Sequence, residues 1–214
     1  MMELLNVNQE VLNTKDKVKI DLIKNGQEFL EDFQINHEFL LRSVSIIYRY
    51  LSVNQKIPNN LFKFFIAAYY IVERHPRAFP VHDSKKKFCR IFGNIQQNSL
   101  EYCVDKIIGA LDMIKILDDK NFPYFIDRKS DVAFKLAKSI VKFEVEKASM
   151  NFMLYHQPLN SQILTEKIIE ELIFEMKIFP EELFRQIYDI ILEMIDNLLI
   201  DHNQYVKMQE KYFI

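Results

Sequence analysis

The stretch Pro58-Asn59-Asn60-Leu61-Phe62-Lys63-Phe64-Phe65-Ile66-Ala67-Ala68-Tyr69-Tyr70-Ile71-Val72-Glu73-Arg74-His75-Pro76-Arg77-Ala78-Phe79-Pro80 decides the fold. From Leu61 to Val72 only Lys63 interrupts the apolar residues, so a helix here is greasy on every side. Such a helix is buried among other helices. Pro58 suits its first turn, where a missing N–H has no partner to lose. Pro76 or Pro80 stops it, because proline biases the residue before it away from helix. Residues 58–74 are therefore read as a central buried helix.

Working outward, the flanks read as amphipathic helices that could wrap it. Val11, Leu12, Val18, Ile20, Leu22 and Ile23 mark a helix over 8–24, stopped by Asn25-Gly26. Phe29, Leu30 and Phe33, then Phe39, Leu40, Val44, Ile47, Tyr48 and Leu51 continue at spacings of three and four, giving a longer helix that ends before Asn54. After the buried segment, Asp83 or Ser84 caps a helix through Phe92. Asn98-Ser99 caps the next, whose stripe runs from Leu100 through Cys103, Ile107 and Leu111 to Ile114 and Leu117; Gly109 within it suggests a close helix approach. Residues 118–127 read as a loop centred on Pro123. Ser130 caps a long helix with Val132, Leu136, Ile140, Val141, Val145 and Ala148 on its apolar face, ending near Pro158. Asn160 or Ser161 opens another through Met176, and Pro180-Glu181-Glu182 starts a last one through Leu198. No segment alternates as a strand would, and no fixed-period repeat appears.

The expectation is an all-α, single-domain bundle of roughly seven to eight helices around the buried helix at 58–74. It takes in residues 1–214, with 1–25 and 201–214 peripheral. Composition agrees: 214 residues, 49% hydrophobic, supply a sizeable core, and only 3 Gly and 6 Pro disfavour a turn-rich β protein. The formal net charge of −2 sets up no global field towards nucleic acid or anionic lipid. Cys89 and Cys103, the two cysteines, are too few for a disulfide framework or a zinc site and read as reduced core thiols. There is no basic-then-apolar leader, and no run approaches the ~18 apolar residues of a membrane helix. A soluble, cytoplasmic (intracellular) protein without cofactor is expected.

Catalytic motifs are not found: no phosphate-cradling glycine loop, no zinc-binding histidine pair, no EF-hand loop. Glu170, Glu171 and Glu175 read as a solvated helix face, and no metal site is expected. Charge is distributed unevenly. Arg74, Arg77, Lys85, Lys86, Lys87 and Arg90, with His75 beside them, form a basic corner, whereas 159–203 is strongly acidic. The corner could take a phosphate or an acidic peptide. The reading is a non-catalytic helical adaptor that binds a protein partner, with a homo-oligomer as a further expectation and Arg74, His75, Arg77, Lys85, Lys86, Lys87 and Arg90 as candidate contacts. The alternative rests on Arg77 and His82, whose spacing looks like the arginine–histidine motif of HEPN ribonucleases; it implies RNA cleavage or RNA binding, the less favoured partner.

Ala68-Tyr69, Ile71-Val72, His75-Pro76 and Phe79, followed by another helix, resemble a stretch of the T-complex protein 11 family. One extra residue precedes His75, and Phe79 comes one position early. The resemblance covers residues 58–92 only. It implies a helical, non-catalytic regulator and carries no site residues over. Physical chemistry alone reads His75-Pro76 as a helix stop, with the imidazole near the negative helix end.

Overall fold

Asn60 opens the helix Leu61–Glu73 (α3) by accepting a hydrogen bond from the Lys63 N–H, and every residue from Phe64 to Val72 is buried. In the computed structural model residues 14–54, 56–79, 83–93 and 95–212 are described, with side chains within 16–201. The elements are α1 (Thr14–Glu31), α2 (His37–Val53), α3, α4 (Lys85–Ile91), α5 (Gln97–Leu111), β1 (Met113–Leu117), β2 (Pro123–Asp127), α6 (Val132–Tyr155), α7 (Ser161–Ile169) and α8 (Phe184–Tyr212). The all-helical expectation holds, with one small two-stranded sheet added.

The chain forms two compact units. The first holds the residues up to Arg74 and those between Pro80 and Met113; the second holds His75–Phe79 and the chain from Ile114 onward.

In the first unit α3 packs against α1, α2 and α5. Its aromatic side chains join a cluster: Tyr69 meets Phe92 with ring centroids 5.0 Å apart, Tyr70 meets Phe88 edge-on at 4.9 Å, and Phe64 stacks on Tyr50 at 5.1 Å. Each large apolar side chain so buried contributes about 1.5–3 kcal/mol. Burial also pushes the Tyr69 phenol up to about 12.

Two helix boundaries differ from expectation. Gly26 does not stop the first helix, because α1 runs through it to Glu31. A Cβ built at Gly26 would lie 2.0–2.5 Å from the Phe65 ring, so the glycine serves the contact with α3. The start expected at 8–13 lies outside the described residues. The longer helix expected from Phe29 onward is broken instead: Gln34 takes a left-handed φ of 53°, and Asn36 caps α2 through the Glu38 N–H. The close approach expected at Gly109 is not made among the described residues, where nothing lies within 4 Å of a Cβ at that position.

The second unit begins with a strand pair that replaces the expected helix end and loop. Asp112 turns left-handed (φ 55°) and ends α5, so Ile114 and Leu117 lie on β1, not on a helical stripe. Asp118 Oδ1 accepts from the Lys120 and Phe122 N–H groups, closing the turn into β2. Pro123 opens that strand. Helices α6, α7 and α8 pack on one another. Asp131, not Ser130, caps α6. A π-helical turn over Glu170–Glu175 extends α7, burying Leu172 and Ile173 while Glu170 and Glu175 stay exposed, as the solvated-face reading required. The last helix continues through the expected peripheral tail to Tyr212.

Candidate functional site

Not all seven residues of the expected basic corner are at a surface. Arg74 has no exposed area. Its guanidinium lies 3.6 Å from the Tyr70 ring centroid, donates to the Asp83 carbonyl at 2.9 Å, and pairs with Glu73 at 3.0 Å. At the α3 C-terminus the charge also meets the negative end of the helix dipole. Burial raises the Glu73 carboxyl above its usual range, and the neighbouring guanidinium only partly offsets this. Arg74 is therefore a structural ion in the first unit's core, closed to a partner.

His75 and Arg77 belong to the second unit. His75 caps a 3-10 turn, Pro76–Ala78, its Nδ1 accepting from the Arg77 N–H at 3.1 Å. Its Nε2 bonds the Asp131 carboxylate, whose other oxygen caps α6 through the Phe134 N–H at 2.7 Å. Burial alone would raise Asp131. The His75 hydrogen bond, the Phe134 N–H and the nearby charges of His75 and Arg77 outweigh it, so the carboxyl sits below its usual range. The pair thus ties the turn to the start of α6.

Three lysines crowd the first turn of α4, where the dipole disfavours positive charge. Two are answered within their own unit: Lys87 pairs with Asp83 and Lys85 with Glu101. Lys86 and Arg90 are exposed with no ion pair among the described residues. His82 lies outside the described residues, so the Arg77–His82 arrangement has no geometry here. Among the described residues no group of three or more His, Cys, Asp or Glu could hold a metal ion. Among the described residues no helix is long and apolar enough to cross a membrane.

The face that stands out was only half visible in the sequence. Val132 and Leu136, expected on the inner side of α6, are 73% and 41% exposed. The inner side is formed by Ala133, Phe134, Ala137, Val141 and Val145. Opposite runs a second apolar stripe: Leu136, Phe143 and Met150 at seven-residue intervals, with Val132 and Met153 at the alternating four- and three-residue spacing on either side, all exposed. The last turn, Phe152-Met153-Leu154-Tyr155, is exposed all round. Seven-residue spacing is the repeat of a helix–helix seam, taking Leu136, Phe143 and Met150 as positions a. Lys135 and Lys142 then fall at g and Lys147 at e, edging the stripe with positive charge. Ser139 and Glu146 interrupt it at d. Lys147 has Glu144 at 3.9 Å and Lys142 has Glu146 at 3.7 Å, the lengths of loose surface pairs.

Comparison with known protein families, with curated proteins and with solved structures finds no match to this chain.

Proposed function

We propose that the chain is a non-catalytic helical adaptor whose docking surface is the outer face of α6, and that its occupant is an acidic amphipathic helix of a partner protein. The observation that carries this is the exposed seam Leu136–Phe143–Met150 with lysines at its e and g positions. Exposed apolar side chains in register along a helix are the contacts of a helix-in-groove or coiled-coil partner. The edge charges select that partner. In a parallel self-pair Lys142 would face Lys147 of the second copy, a like-charge contact, whereas glutamates at those positions would pair with both. The stripe is narrow, as in a seam; helices that lie in a lipid interface present broader apolar faces. In this reading the expected basic corner gives way to α6, since Arg74 is buried and Glu101 and Asp83 hold Lys85 and Lys87 more closely than the α6 glutamates hold Lys142 and Lys147.

Fluorescence anisotropy of a labelled heptad peptide, with leucine at a and d and glutamate at e and g, tests it against the full chain. Wild type binds, Phe143→Glu weakens binding about tenfold or more, and Lys142→Glu with Lys147→Glu does likewise while unfolding transitions stay unchanged. No binding, or equal binding by the variants, overturns the proposal. Sedimentation on vesicles containing phosphatidylserine, or concentration-dependent self-association lost in Phe143→Glu, would reassign the face to lipid or to a second copy.

A further inference from the structure

The first unit holds a cavity of about 760 Å³ whose lining has three lysines and no carboxylate. It lies where the starts of α3 and α5 come together beside the end of α2. Lys56, Lys63 and Lys106 supply the charge, and none has an ion-pair partner among the described residues. Like charges gathered around one space repel unless an anion joins them. Lys85 and Lys87, by contrast, each have a carboxylate partner, Glu101 and Asp83.

The deeper wall is built, not incidental. Tyr50 lines the cavity, is only 6% exposed, and its hydroxyl has no hydrogen-bond partner among the described residues. The hydroxyl is the open end of an otherwise buried side chain, free to donate to a molecule in the cavity. Its ionisable neighbours are the Tyr102 phenol and the Cys103 thiol, and Cys103 in turn has the Lys63 ammonium beside it. Around them stand the amides of Asn54, Asn59 and Asn98. The first turn of α5 faces the same space, and its cap residue Gln96 makes no side-chain bond to the free N–H groups there, leaving donors for an anion.

We propose that this cavity binds a small polyphosphate, an organic or inorganic molecule with at least two phosphate groups. Three mobile ammonium groups balance such a charge without the planar forks that arginine would offer a carboxylate. Tyr50 and the amides add donors to its oxygens. The site goes beyond the adaptor reading: it lies in the other unit and shares no residue with the α6 face.

Calorimetric titration of the full chain with pyrophosphate, inositol hexakisphosphate and inorganic phosphate tests it. Pyrophosphate or inositol hexakisphosphate binds with salt-sensitive affinity and raises the unfolding midpoint, and inorganic phosphate binds more weakly. Lys63→Gln with Lys106→Gln weakens binding about tenfold or more. Lys86→Gln with Arg90→Gln, which removes the same charge from an exposed helix, leaves binding unchanged. Lys56→Gln with Lys106→Gln, both at exposed positions, covers the case in which replacing half-buried Lys63 unsettles the fold. The proposal is overturned if neither polyphosphate binds, if the cavity variants bind as wild type does, or if the control pair loses as much affinity as they do.

Discussion

Two segments of this molecule are apolar around the helix circumference, and they meet opposite fates. In α3 every residue from Phe64 to Val72 is buried. In the last turn of α6, Phe152 to Tyr155 are all exposed. Composition does not distinguish them; what surrounds them does. α3 has α1, α2 and α5 around it, a capped start and a stacked arginine at its end. The α6 terminus has packed neighbours on the Val141–Val145 side only, further back along the helix. An all-round apolar segment predicts burial, and where the chain itself does not provide it, the remaining surface is what a partner would cover.

The largest effect comes from setting the two segments side by side. Phe65→Ala should cost about 3–5 kcal/mol, because Phe65 has no exposed area and a cavity would remain. Phe143→Ala on the open α6 stripe should stay within about 0.5 kcal/mol. Chemical denaturation reads both; equal costs would mean that the stripe is covered in the free protein, and would break the contrast.

The same core can be tested from its other side. Gly26→Ala gains helix propensity of about 1 kcal/mol, yet it thrusts a methyl group into the Phe65 ring. Overpacking of this kind costs about 1–3 kcal/mol, so net destabilisation is expected. A rise in the unfolding midpoint would show that α1 yields easily and that α3 is less tightly held than its burial implies.

The smallest effect concerns the start of α6. Asp131→Ala removes both the cap and the His75 bond and should cost about 1 kcal/mol at neutral pH. The carboxyl is depressed in the fold, so its contribution is present above the ordinary value of 3.8 and fades as pH falls through the lower folded value. Wild type and variant should therefore converge in stability at the acid end, and parallel curves across acid pH would deny the pairing.

The helices, and α3 above all, were legible because their apolar periodicity runs over many residues. The strand pair was not. Met113–Leu117 is a five-residue segment, apolar except for Lys115, that continues a helical stripe, and periodicity alone does not tell so short a strand from a helix. The break is made by Asp112 in a left-handed conformation, without the glycine that usually marks it. Arg74 misled because its charge counts as surface in a sequence; only Tyr70 four positions earlier, the ring it stacks on, hinted otherwise. His75 finds Asp131 across 56 positions of chain, a distance no local pattern spans. The second stripe of α6 was hidden by its first: Phe143 and Met150 fall on the opposite side from Val141 and Val145, and reading one face left the other unassigned. The cavity lysines, spread over 56–106, converge only through the fold.

The short segment His75–Phe79 counts with the second unit although the chain on both sides of it counts with the first. Its ties are to distant sequence: Phe79 packs on Tyr124 with ring centroids 5.8 Å apart, and His75 holds Asp131. The two units are thus interleaved along the gene, and no single crossover separates them. A recombination event or a proteolytic cut after residue 113 would strand five residues of one unit inside the other. The half after the cut would then lack the residues that Tyr124 and Asp131 hold.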